Sequence, residues 1–547
     1  MPMNRRRFLH TLAVLGFSPW LMSPTRSRST AEATVLHFTD SHAQLLPIYY
    51  REPSTQPGTG KNSNIPAYRS GQVLLDFFGI PAHSRNAYAF TAIDFAHAAE
   101  LFGKMGGFAH LATLIKHIRA ERGTENTLLL DGGDTWQGSA TALWTQGQDM
   151  IAASNLLGVD IMTGHWEFSY GSQQLQTNIK QFKGDWLAQN ITLSEEAQWA
   201  GNSETDAVFK PYQIKTINQT RLAIIGQAYP YTPIANPKRF VPDWRFGIQE
   251  QNLQRLVKQI KQNKAADAII LLSHNGLAID LKLASRVTGV DVILGGHSHD
   301  ALPRPIIVDN AEGKTWVTNA GSHGKFLAVL DVQAANGRVQ NLRYQLVPVF
   351  ANLLPPDSAM QQLIDRIRQP YLKQLQQTLA VAEQLLYRRD TYSGTFDRLI
   401  LNALRTVNAA EIALSPGFRW GTTILPGQTI TYEAVMNHTA ISYPETYTRH
   451  LTGQQLQAIL EDVADNLFNP DPYYQQGGDM VRVGGISYQC DPQARYGKRI
   501  SGLRGTNGQL LDANKAYKVS GWASVHDRQT GPAVADVVSD YLRQQPA

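Results

Sequence analysis

The 547-residue sequence is poor in cysteine and in charged residues, and both shortages limit what the protein can be. Cys490 is the only cysteine, so no intrachain disulfide holds the fold together and no thiolate cluster can bind zinc. Charged residues make up 17% of the chain, and the net charge is +5. No Lys/Arg block alternates with aromatic residues, so the sequence does not predict a nucleic-acid groove. The small positive charge favours an anionic substrate or an acidic partner.

Long hydrophobic runs are also missing. The apolar run Phe8–Met22 is short and interrupted by Gly and Pro, so it does not predict a membrane span. Arg5–Arg7 precede this run, a pattern typical of a twin-arginine export signal. Ala31-Glu32-Ala33 is a candidate cleavage site. We therefore predict a signal segment over residues 1–33 and a periplasmic protein that crosses the membrane already folded.

Four short apolar runs are present, and each ends in a group of polar residues. The runs are Thr34–Thr39, Leu128–Leu130, Ala268–Leu272 and Val290–Leu294. Continuous apolar runs of this length are typical of strands that are buried on both faces. Between them, Gly107–Arg122 and Gln249–Ala265 have helical periodicity. Strand, polar loop and helix in this order predict an α/β fold with functional residues at the carboxyl ends of the strands.

The length of the chain predicts two or three domains. We place a catalytic domain over residues 34–350, a linker followed by a helix over 351–384, and a C-terminal domain over 385–547. The helix is predicted to extend from Ser358 to Gln384 with an interruption at Pro370. Residues 47–104 form a Gly- and Pro-rich insert directly after the first polar group. Because long loops in compact domains are usually functional or disordered, we interpret the insert as a lid or a partner-docking element.

The polar groups contain the residue types that bind divalent metals. Five groups carry them: Asp40-Ser41-His42, Gly132-Gly133-Asp134, Gly164-His165, Ser273-His274-Asn275-Gly276 and Gly296-His297-Ser298-His299. Two cations about 3.5–4 Å apart activate water when a carboxylate bridges them and imidazoles complete their coordination.

We predict Asp134 as the bridging residue. Asp40, His42 and His299 would complete one site, and His165, His274 and His297 the other. In the D-x-H and H-x-H pairs the outer residues would project from the same side of an extended segment.

Two further histidines are interpreted differently. The His37 side chain is predicted to point away from the ligand loop, so we interpret His37 as a packed core residue. His323 is predicted to lie near the cleft without binding metal.

The five groups resemble those of the calcineurin-like metallophosphoesterases, and the two-domain layout resembles their 5′-nucleotidase branch. Within that branch, Gly164–Gly171, the insert beginning Pro47–Pro53, Gly417–Gly421 and the twin-arginine leader resemble the SoxB thiosulfohydrolase family. The resemblance implies an N-terminal four-layer αββα metallophosphoesterase-like domain and a C-terminal 5′-nucleotidase-like α/β domain. It implies two Mn²⁺ ions, although the ligand types also suit Zn²⁺ or Fe.

In the nucleotidase branch, a histidine and an aspartate three residues later assist the reaction at phosphorus. Trp166 and Ser169 occupy these positions here, and neither relays a proton at neutral pH. A thiolate, whose conjugate acid has a pKa of about 8.5, leaves without such help. The resemblance accordingly implies hydrolysis of a sulfonate from the sulfur that a carrier-protein cysteine holds, with release of sulfate. The implied carrier is SoxYZ.

The resemblance also indicates substrate-binding residues. Arg419 falls on the arginine that binds the substrate anion in nucleotidases, and we predict Arg419 and Asp134 as catalytic residues. Trp166 is predicted to contact substrate. Of the two aromatic rings that clamp a nucleobase, one is replaced by Met480, and the other loosely matches Tyr443. Asp479 is predicted to line the channel, with a turn or salt-bridge role as the alternative.

Two other functions remain open at this point. A periplasmic 5′-nucleotidase or cyclic phosphodiesterase would use the same metals, but Trp166 and Met480 argue against it. A binding protein without activity would not need the complete set of seven candidate ligands.

Overall fold

The computed structural model describes residues 32–59, 65–201, 206–526 and 528–545. The predicted signal segment lies outside the described residues except for Glu32 and Ala33. Both are buried in the first strand, which begins two residues before the predicted start of the catalytic domain. In the part of the chain that is described, no helix combines the length and the apolar character needed to cross a bilayer.

The N-terminal region contains two six-stranded sheets. Its strands are β1 (Glu32–Phe38), β2 (Thr127–Asp131), β3 (Ile161–Met162), β4 (Asp185–Trp186), β5 (Ile191–Leu193), β6 (Tyr212–Ile217), β7 (Thr220–Gln227), β8 (Trp244–Phe246), β9 (Ala268–Ser273), β10 (Val292–Gly295), β11 (Ile306–Asn310), β12 (Gly313–Asn319), β13 (Phe326–Ala335) and β14 (Arg338–Pro348). One sheet has the order β14-β13-β1-β2-β3-β4, and the other has the order β11-β12-β10-β9-β7-β6. The four predicted apolar strands are confirmed as β1, β2, β9 and β10. The pairs β1–β2 and β9–β10 are parallel, so their carboxyl ends lie at the same edge of each sheet.

Helices cover the outer faces of both sheets. The helices of this region are α1 (Gly71–Phe78), α2 (Arg85–Phe90), α3 (Phe95–Phe102), α4 (Phe108–Arg122), α5 (Ala140–Thr145), α6 (Gln148–Leu157), α7 (Ser172–Gln181), α8 (Glu195–Gly201), α9 (Thr232–Ala235), α10 (Glu250–Gln262) and α11 (Leu277–Arg286). Along β9, Ile270 packs into the core between the sheets, whereas Ile269 packs against α10 and α11. Helix, sheet, sheet and helix therefore form four layers, as the resemblance implies.

The predicted insert folds into α1, α2 and α3 and packs against both halves of the chain. The Tyr50 hydroxyl donates to the Arg419 carbonyl oxygen at 3.1 Å, and the Thr423 N–H donates to the Tyr49 carbonyl oxygen at 2.7 Å. Towards the N-terminal side, Glu52 accepts from the fully buried Lys325 ammonium at 2.5 Å. The insert is thus a bridge between the two regions.

The C-terminal region has a four-stranded sheet with the order β18-β22-β16-β19 and two strand pairs, β15–β17 and β20–β21. Its elements are α12 (Ser358–Arg368), α13 (Leu372–Leu375), β15 (Thr378–Val381), α14 (Thr395–Val407), β16 (Ile412–Ser415), β17 (Thr429–Thr431), α15 (Tyr432–Thr439), β18 (Thr446–Thr452), α16 (Gly453–Phe468), β19 (Arg482–Gly484), β20 (Ile486–Cys490), β21 (Ile500–Gly505), β22 (Ala516–Trp522) and α17 (Val534–Arg543). The predicted interruption at Pro370 is confirmed, but the predicted helical extent to Gln384 is wrong. The α-helix ends at Arg368, because Pro370 lacks the N–H that a continuing α-helix needs, and β15 occupies Thr378–Val381.

Candidate dimetal centre

The seven predicted ligands come together between the carboxyl ends of the central strands. Two groups of side chains each offer one donor atom per residue, and within each group these atoms lie within 4.8 Å of one another. One group is Asp40, His42, Asp134 and His299; the other is Asp134, His165, His274 and His297. Asp134 belongs to both groups, the position expected of a bridging carboxylate. All seven residues are buried.

The backbone at these ligands differs from the expectation. Both pairs, Asp40 with His42 and His297 with His299, have positive φ angles of 51°, 46°, 70° and 62°, so the prediction of extended D-x-H and H-x-H segments is wrong. Asp134 is also left-handed, with φ of 57°. Hydrogen bonds between the loops hold this conformation: the N–H groups of Asp40 and His42 donate to Gly133 and Asp134 carbonyl oxygens at 2.8 Å each. Such strain is typical of functional sites.

Distances between donor atoms fit a pair of cations. Asp134 Oδ2 lies 3.2 Å from His165 Nδ1 and 3.1 Å from His274 Nε2. In the other group, His299 Nε2 lies 3.3 Å from Asp40 Oδ1 and 3.0 Å from His42 Nε2. Ligands about 2.0–2.2 Å from one ion are separated by roughly 3.0–3.5 Å in tetrahedral or octahedral geometry. The residues present therefore fit two divalent metals.

The protonation states of His42, His165 and Asp134 suit metal binding, whereas His274 must lose a proton to bind a metal. Burial lowers the pKa of His42 to about 4 and lowers that of His165, which keeps both imidazoles neutral. Burial opposes ionisation of Asp134, but His165 and His274 hold its pKa well below the usual range. Burial likewise opposes protonation of His274, yet the Asp134 and Asp40 carboxylates raise the pKa of His274 to about 10. A proton thus occupies His274 where a cation would otherwise balance the carboxylates.

Neighbouring residues that the sequence did not indicate hold the ligand loops in place. The Glu167 carboxylate accepts N–H groups from Thr135 at 2.7 Å and His165 at 2.9 Å, which ties two ligand loops together. The Tyr229 ring lies 3.9 Å from the His165 ring and 4.3 Å from the His297 ring, centroid to centroid. Glu167 follows the His165-Trp166 pair in the sequence, but nothing local shows that it acts on a loop 30 residues earlier.

His37 and His323 both lie outside the two ligand groups. His37 is fully buried in β1, and burial lowers its pKa to about 3. The His323 ring stacks on Tyr50 at 4.0 Å, and its Nδ1 lies 2.8 Å from Ser322 Oγ. The His323 ring is 5.5 Å from that of His42, so it supports the ligand from behind.

A cleft of about 330 Å³ opens onto the metal ligands between the two regions. Its lining is mainly aromatic and aliphatic, and Trp166, Phe418, Trp420, Tyr443 and Val525 contribute to it. The Trp166 ring packs edge-to-face on Trp420 with centroids 5.0 Å apart. Its backbone N–H donates to Asp134 Oδ1 at 2.7 Å. Trp166 thus fixes the Asp134 carboxylate, the candidate bridging ligand, while its ring lines the cleft.

Of the residues predicted in the C-terminal domain, Arg419 lies directly against a ligand loop. Its guanidinium donates to the His297 carbonyl oxygen at 3.3 Å and to the Gly478 carbonyl oxygen at 2.7 Å. Asp479 sits behind Arg419, 3.5 Å from its Nε, and also pairs with Arg389 and Arg482. The salt-bridge role left open for Asp479 is therefore present, although Asp479 also touches the cleft.

The two positions aligned with the nucleobase clamp differ in whether their side chains face the cleft. Tyr443 lines the cleft, and its hydroxyl donates to the Ala235 carbonyl oxygen at 2.7 Å. Met480 is fully buried in the C-terminal core, so no side chain at this position faces the cleft. One half of an aromatic clamp is therefore missing at the position aligned with it.

Comparison with known proteins agrees with this architecture. A family model of calcineurin-like phosphoesterases matches residues 33–301, and a model of the 5′-nucleotidase C-terminal domain matches residues 377–534. A Thermus thermophilus sulfate thiohydrolase SoxB, solved in complex with glycerol, is 36% identical over 95% of each chain with a TM-score of 0.88. A 5′-nucleotidase precursor from the same species is 22% identical over 94% of this chain and 96% of its own, with a TM-score of 0.72, which shows the fold alone.

Curated relatives match over less of their length. The trifunctional nucleotide phosphoesterase YfkN of Bacillus subtilis is 25% identical over 78% of this chain, but the alignment spans 31% of YfkN. Bovine 5′-nucleotidase is 31% identical over 42% of this chain and 41% of its own length. The chain therefore spans well under half of the length of these two relatives.

Proposed function

This chain belongs to the 5′-nucleotidase-like calcineurin-like phosphoesterases, and we propose that within this family it is a thiosulfohydrolase that uses two divalent metals. Its substrate would be a carrier-protein cysteine bearing an S-thiosulfonate, and its product sulfate. The carrier would be a SoxYZ-type protein. Support comes from the cleft described above and from the 36% identity, over 95% of each chain, to a protein named sulfate thiohydrolase SoxB.

The observation that carries the proposal is that the described residues lining the cleft include no ready proton donor for the leaving group. Among the described residues that line the cleft, the titratable groups outside the two ligand sets are Arg419, Asp479, Tyr229 and Tyr443. Three arginines lower the pKa of Asp479 against the effect of burial, and burial raises the pKa of both tyrosines far above neutral. None of these groups donates a proton readily at pH 7. The cleft therefore favours a leaving group that is already stable as an anion.

The proposed reaction is a displacement at the terminal sulfonate sulfur. A water oxygen bonds to that sulfur, the S–S bond breaks, and its electron pair stays on the sulfur that remains with the carrier. Both water protons pass to the solvent, and the sulfate and the carrier persulfide leave as anions. When bound, a pair of divalent cations supplies an activated water and stabilises the charge that develops. Asp40, His42, Asp134, His165, His274, His297 and His299 would hold these cations.

Arg419 would bind the sulfonate oxygens. Its guanidinium already donates to the His297 loop, so its charge lies beside the metal ligands rather than at the cleft mouth. Charge-assisted hydrogen bonds to an anion that gains charge stabilise the transition state more than the ground state. The aromatic walls formed by Trp166, Phe418 and Trp420 would contact the uncharged end of the carrier chain.

A direct assay tests this function. Purified full-length protein loaded with Mn²⁺ would be incubated with a sulfonated carrier peptide, with AMP and with a chromogenic phosphodiester. We expect sulfate release from the peptide, measured by ion chromatography. We expect little phosphate release from AMP. Brisk AMP hydrolysis without sulfate release would contradict the proposal and favour a 5′-nucleotidase.

The Trp166→His variant sharpens this test. It returns an imidazole to the position where nucleotidases carry one, so AMP hydrolysis should rise relative to the parent protein. Loading with Mn²⁺, Zn²⁺ or Fe²⁺ in parallel would show which metal supports sulfate release, with Mn²⁺ as the expected answer.

We also propose export to the periplasm by the twin-arginine route. The motif Arg5–Arg7 before a short apolar run supports this location. Replacing Arg5 and Arg6 by lysine should keep the full-length chain in the cytoplasm, measured by cell fractionation. Normal export of this variant would contradict the prediction.

A further inference from the structure

A fully buried carboxylate, that of Asp280, lies directly behind the loop that carries the candidate ligand His274. Asp280 is in the first turn of α11, the helix that follows this loop, and it belongs to neither ligand group. Its Oδ1 accepts the Ser273 hydroxyl at 2.6 Å and the Asn275 side-chain amide at 3.0 Å. Asp280 therefore holds the residues on both sides of His274.

Further hydrogen bonds make this loop a compact turn. The Ser273 Oγ that donates to Asp280 also accepts the Asn275 N–H at 3.3 Å. The Asn275 side-chain oxygen accepts from the Gln227 amide at 3.1 Å. The His274 N–H donates to the Gln227 carbonyl oxygen at 2.8 Å. The loop is thus fixed between Asp280 on one side and the last residue of β7 on the other.

The imidazole of His274 depends on this placement for its orientation. Its Nδ1 lies 2.6 Å from the Gly132 carbonyl oxygen, and its Nε2 lies 3.1 Å from Asp134 Oδ2. A shift of the loop would separate Nε2 from the carboxylate that both ligand groups share. Losing a residue that orients a metal ligand typically costs about 10–100-fold in metal affinity.

The second oxygen of Asp280 faces the strand that leads to the other histidine loop. A Cβ at Gly295, the last residue of β10, would lie 2.9 Å from Asp280 Oδ2, so a larger residue there would displace the carboxylate. Asp280 Oδ2 is buried, and no described residue donates to it. The carboxylate lies between the ends of β9 and β10, but its side-chain hydrogen bonds go to the His274 loop alone.

We propose that Asp280 is a positioning residue for one of the two metal sites and that it acts by fixing the loop that presents His274. It would contact neither the metal nor the substrate. The inference rests on the two-cation part of the proposed function and is independent of the substrate. The dependent site is Asp134, His165, His274 and His297, whereas the group Asp40, His42, Asp134 and His299 takes no ligand from this loop.

Manganese titrations of the full-length protein test this role. Asp280→Ala removes the acceptor for Ser273 and Asn275, whereas Asp280→Asn keeps an oxygen that accepts from both. The affinity for each Mn²⁺ ion would be measured by competition with a chelator. We expect Asp280→Ala to bind one of the two ions about 10–100-fold more weakly and to keep the other within about threefold. Asp280→Asn should restore both affinities to within about threefold of the parent protein.

Electron paramagnetic resonance gives a readout that does not depend on activity. Two Mn²⁺ ions joined by a bridging carboxylate are spin-coupled, whereas a single ion shows the resolved hyperfine pattern of isolated Mn²⁺. At Mn²⁺ concentrations that fill both sites of the parent protein, the parent and Asp280→Asn should give the coupled spectrum. Asp280→Ala should give the spectrum of an isolated ion.

Asp149→Ala is the matched control for the loss of a buried carboxylate. Asp149 is also buried, lies in the first turn of α6 and accepts the Met150 N–H at 2.7 Å. Asp149→Ala and Asp280→Ala should both lower the melting temperature of the metal-free protein, but only Asp280→Ala should lose the coupled pair. Loss of the pair in both variants, or in neither, would overturn the positioning role.

Ser273→Ala tests the same contact from the side of the loop and serves if Asp280→Ala does not fold. It removes one of the two donors to Asp280, so it should weaken the same Mn²⁺ ion. If Asp280 acts through this loop, the double variant should lose less affinity than the two single losses combined. Additive losses, or an unchanged Mn²⁺ affinity in Ser273→Ala, would overturn the inference.

Failure of this inference and failure of the proposed function are distinguishable. A parent protein that never shows a coupled Mn²⁺ pair would reject the two-metal centre itself, and this inference with it. A coupled pair in the parent that Asp280→Ala leaves unchanged would reject the role of Asp280 alone.

Discussion

The metal cradle and the cationic wall that faces it are built in opposite ways. The cradle is the set of seven candidate ligands, and the wall is the network of Arg388, Arg389, Arg419, Arg482, Asp397 and Asp479. The seven candidate ligands of the cradle come from five loops of one domain, and each loop ends a strand or follows one. The wall takes its charges from a network of six side chains in the C-terminal domain, spread over almost 100 residues. Chain topology positions the cradle, whereas the wall depends on ion pairs between segments distant in sequence. The two should therefore fail separately when they are mutated.

Removing the bridging carboxylate should have the largest effect. Asp134→Ala deletes the one side chain that both ligand groups share, so metal content should fall from two ions per chain towards zero. Loss of the activated water and of charge stabilisation worth several kcal/mol corresponds to more than about 10³-fold in activity. Metal analysis by mass spectrometry together with sulfate release checks this outcome.

Asp309→Ala, at an exposed carboxylate on β11, is the control for that variant. Two tightly bound metals in Asp134→Ala would show that Asp134 does not bridge them.

The second-largest loss of activity should come from a change in the cationic wall alone. Arg419→Ala removes the cation beside the His297 loop, and losing one transition-state donor typically costs about 10²–10³-fold in kcat. Metal content should stay at two ions per chain, because Arg419 contacts the His297 carbonyl oxygen and not its ring. Arg495→Ala, an exposed arginine of the same domain, should retain normal turnover. If Arg419→Ala turns over like the parent protein, the wall has no role in catalysis.

The contact between the two regions can be tested at Gly477. A Cβ at this residue would lie 2.3 Å from His297 Nε2, so Gly477→Ala should displace the imidazole. Disturbing a residue that supports a ligand typically costs about 10–100-fold in metal affinity. Gly497→Ala is a matched control, since its φ of +77° is close to the +76° of Gly477 and nothing lies within 4 Å of its Cβ. Equal metal affinity in both variants, measured by competition with a chelator, would mean that the wall does not influence the cradle.

Taken per pH unit, the smallest expected effect is the pH dependence of metal binding. Without cations, Asp134 and Asp40 raise the pKa of His274 to about 10 against the effect of burial, so His274 carries a proton at neutral pH. A metal needs the neutral imidazole, so binding must release this proton. Apparent metal affinity should therefore increase about tenfold per pH unit between pH 7 and 9 and level off above the pKa of His274.

Calorimetry in buffers with different ionisation enthalpies would count the released protons. A metal affinity that does not change over this range would mean that His274 is neutral before the metal binds.

The ligand set was predictable from the sequence because the ends of buried strands can be predicted from it. Each apolar run located a strand, and parallel neighbours bring their carboxyl ends to one edge, so Asp40 had to lie near Asp134 and His274 near His297. The packing of the two sheets against each other then brings the two pairs together. The left-handed backbone at Asp40 and His297 was not predictable, because it is held by hydrogen bonds between loops that are far apart in sequence. For the same reason the sequence does not predict that Glu167 and Tyr229 support the ligands.

What the sequence determined by itself is the residue types and the order in which they reach the site. It placed carboxylates and imidazoles at strand ends, and it placed Trp166 where a proton-donating histidine would serve a phosphoester. What only the tertiary structure decided is the charge facing these ligands. Four arginines and two aspartates meet because distant segments of the C-terminal domain pack together, and no local pattern encodes that network. Spacing along the chain fixes which groups are available, whereas packing fixes which of them lie close enough to form ion pairs.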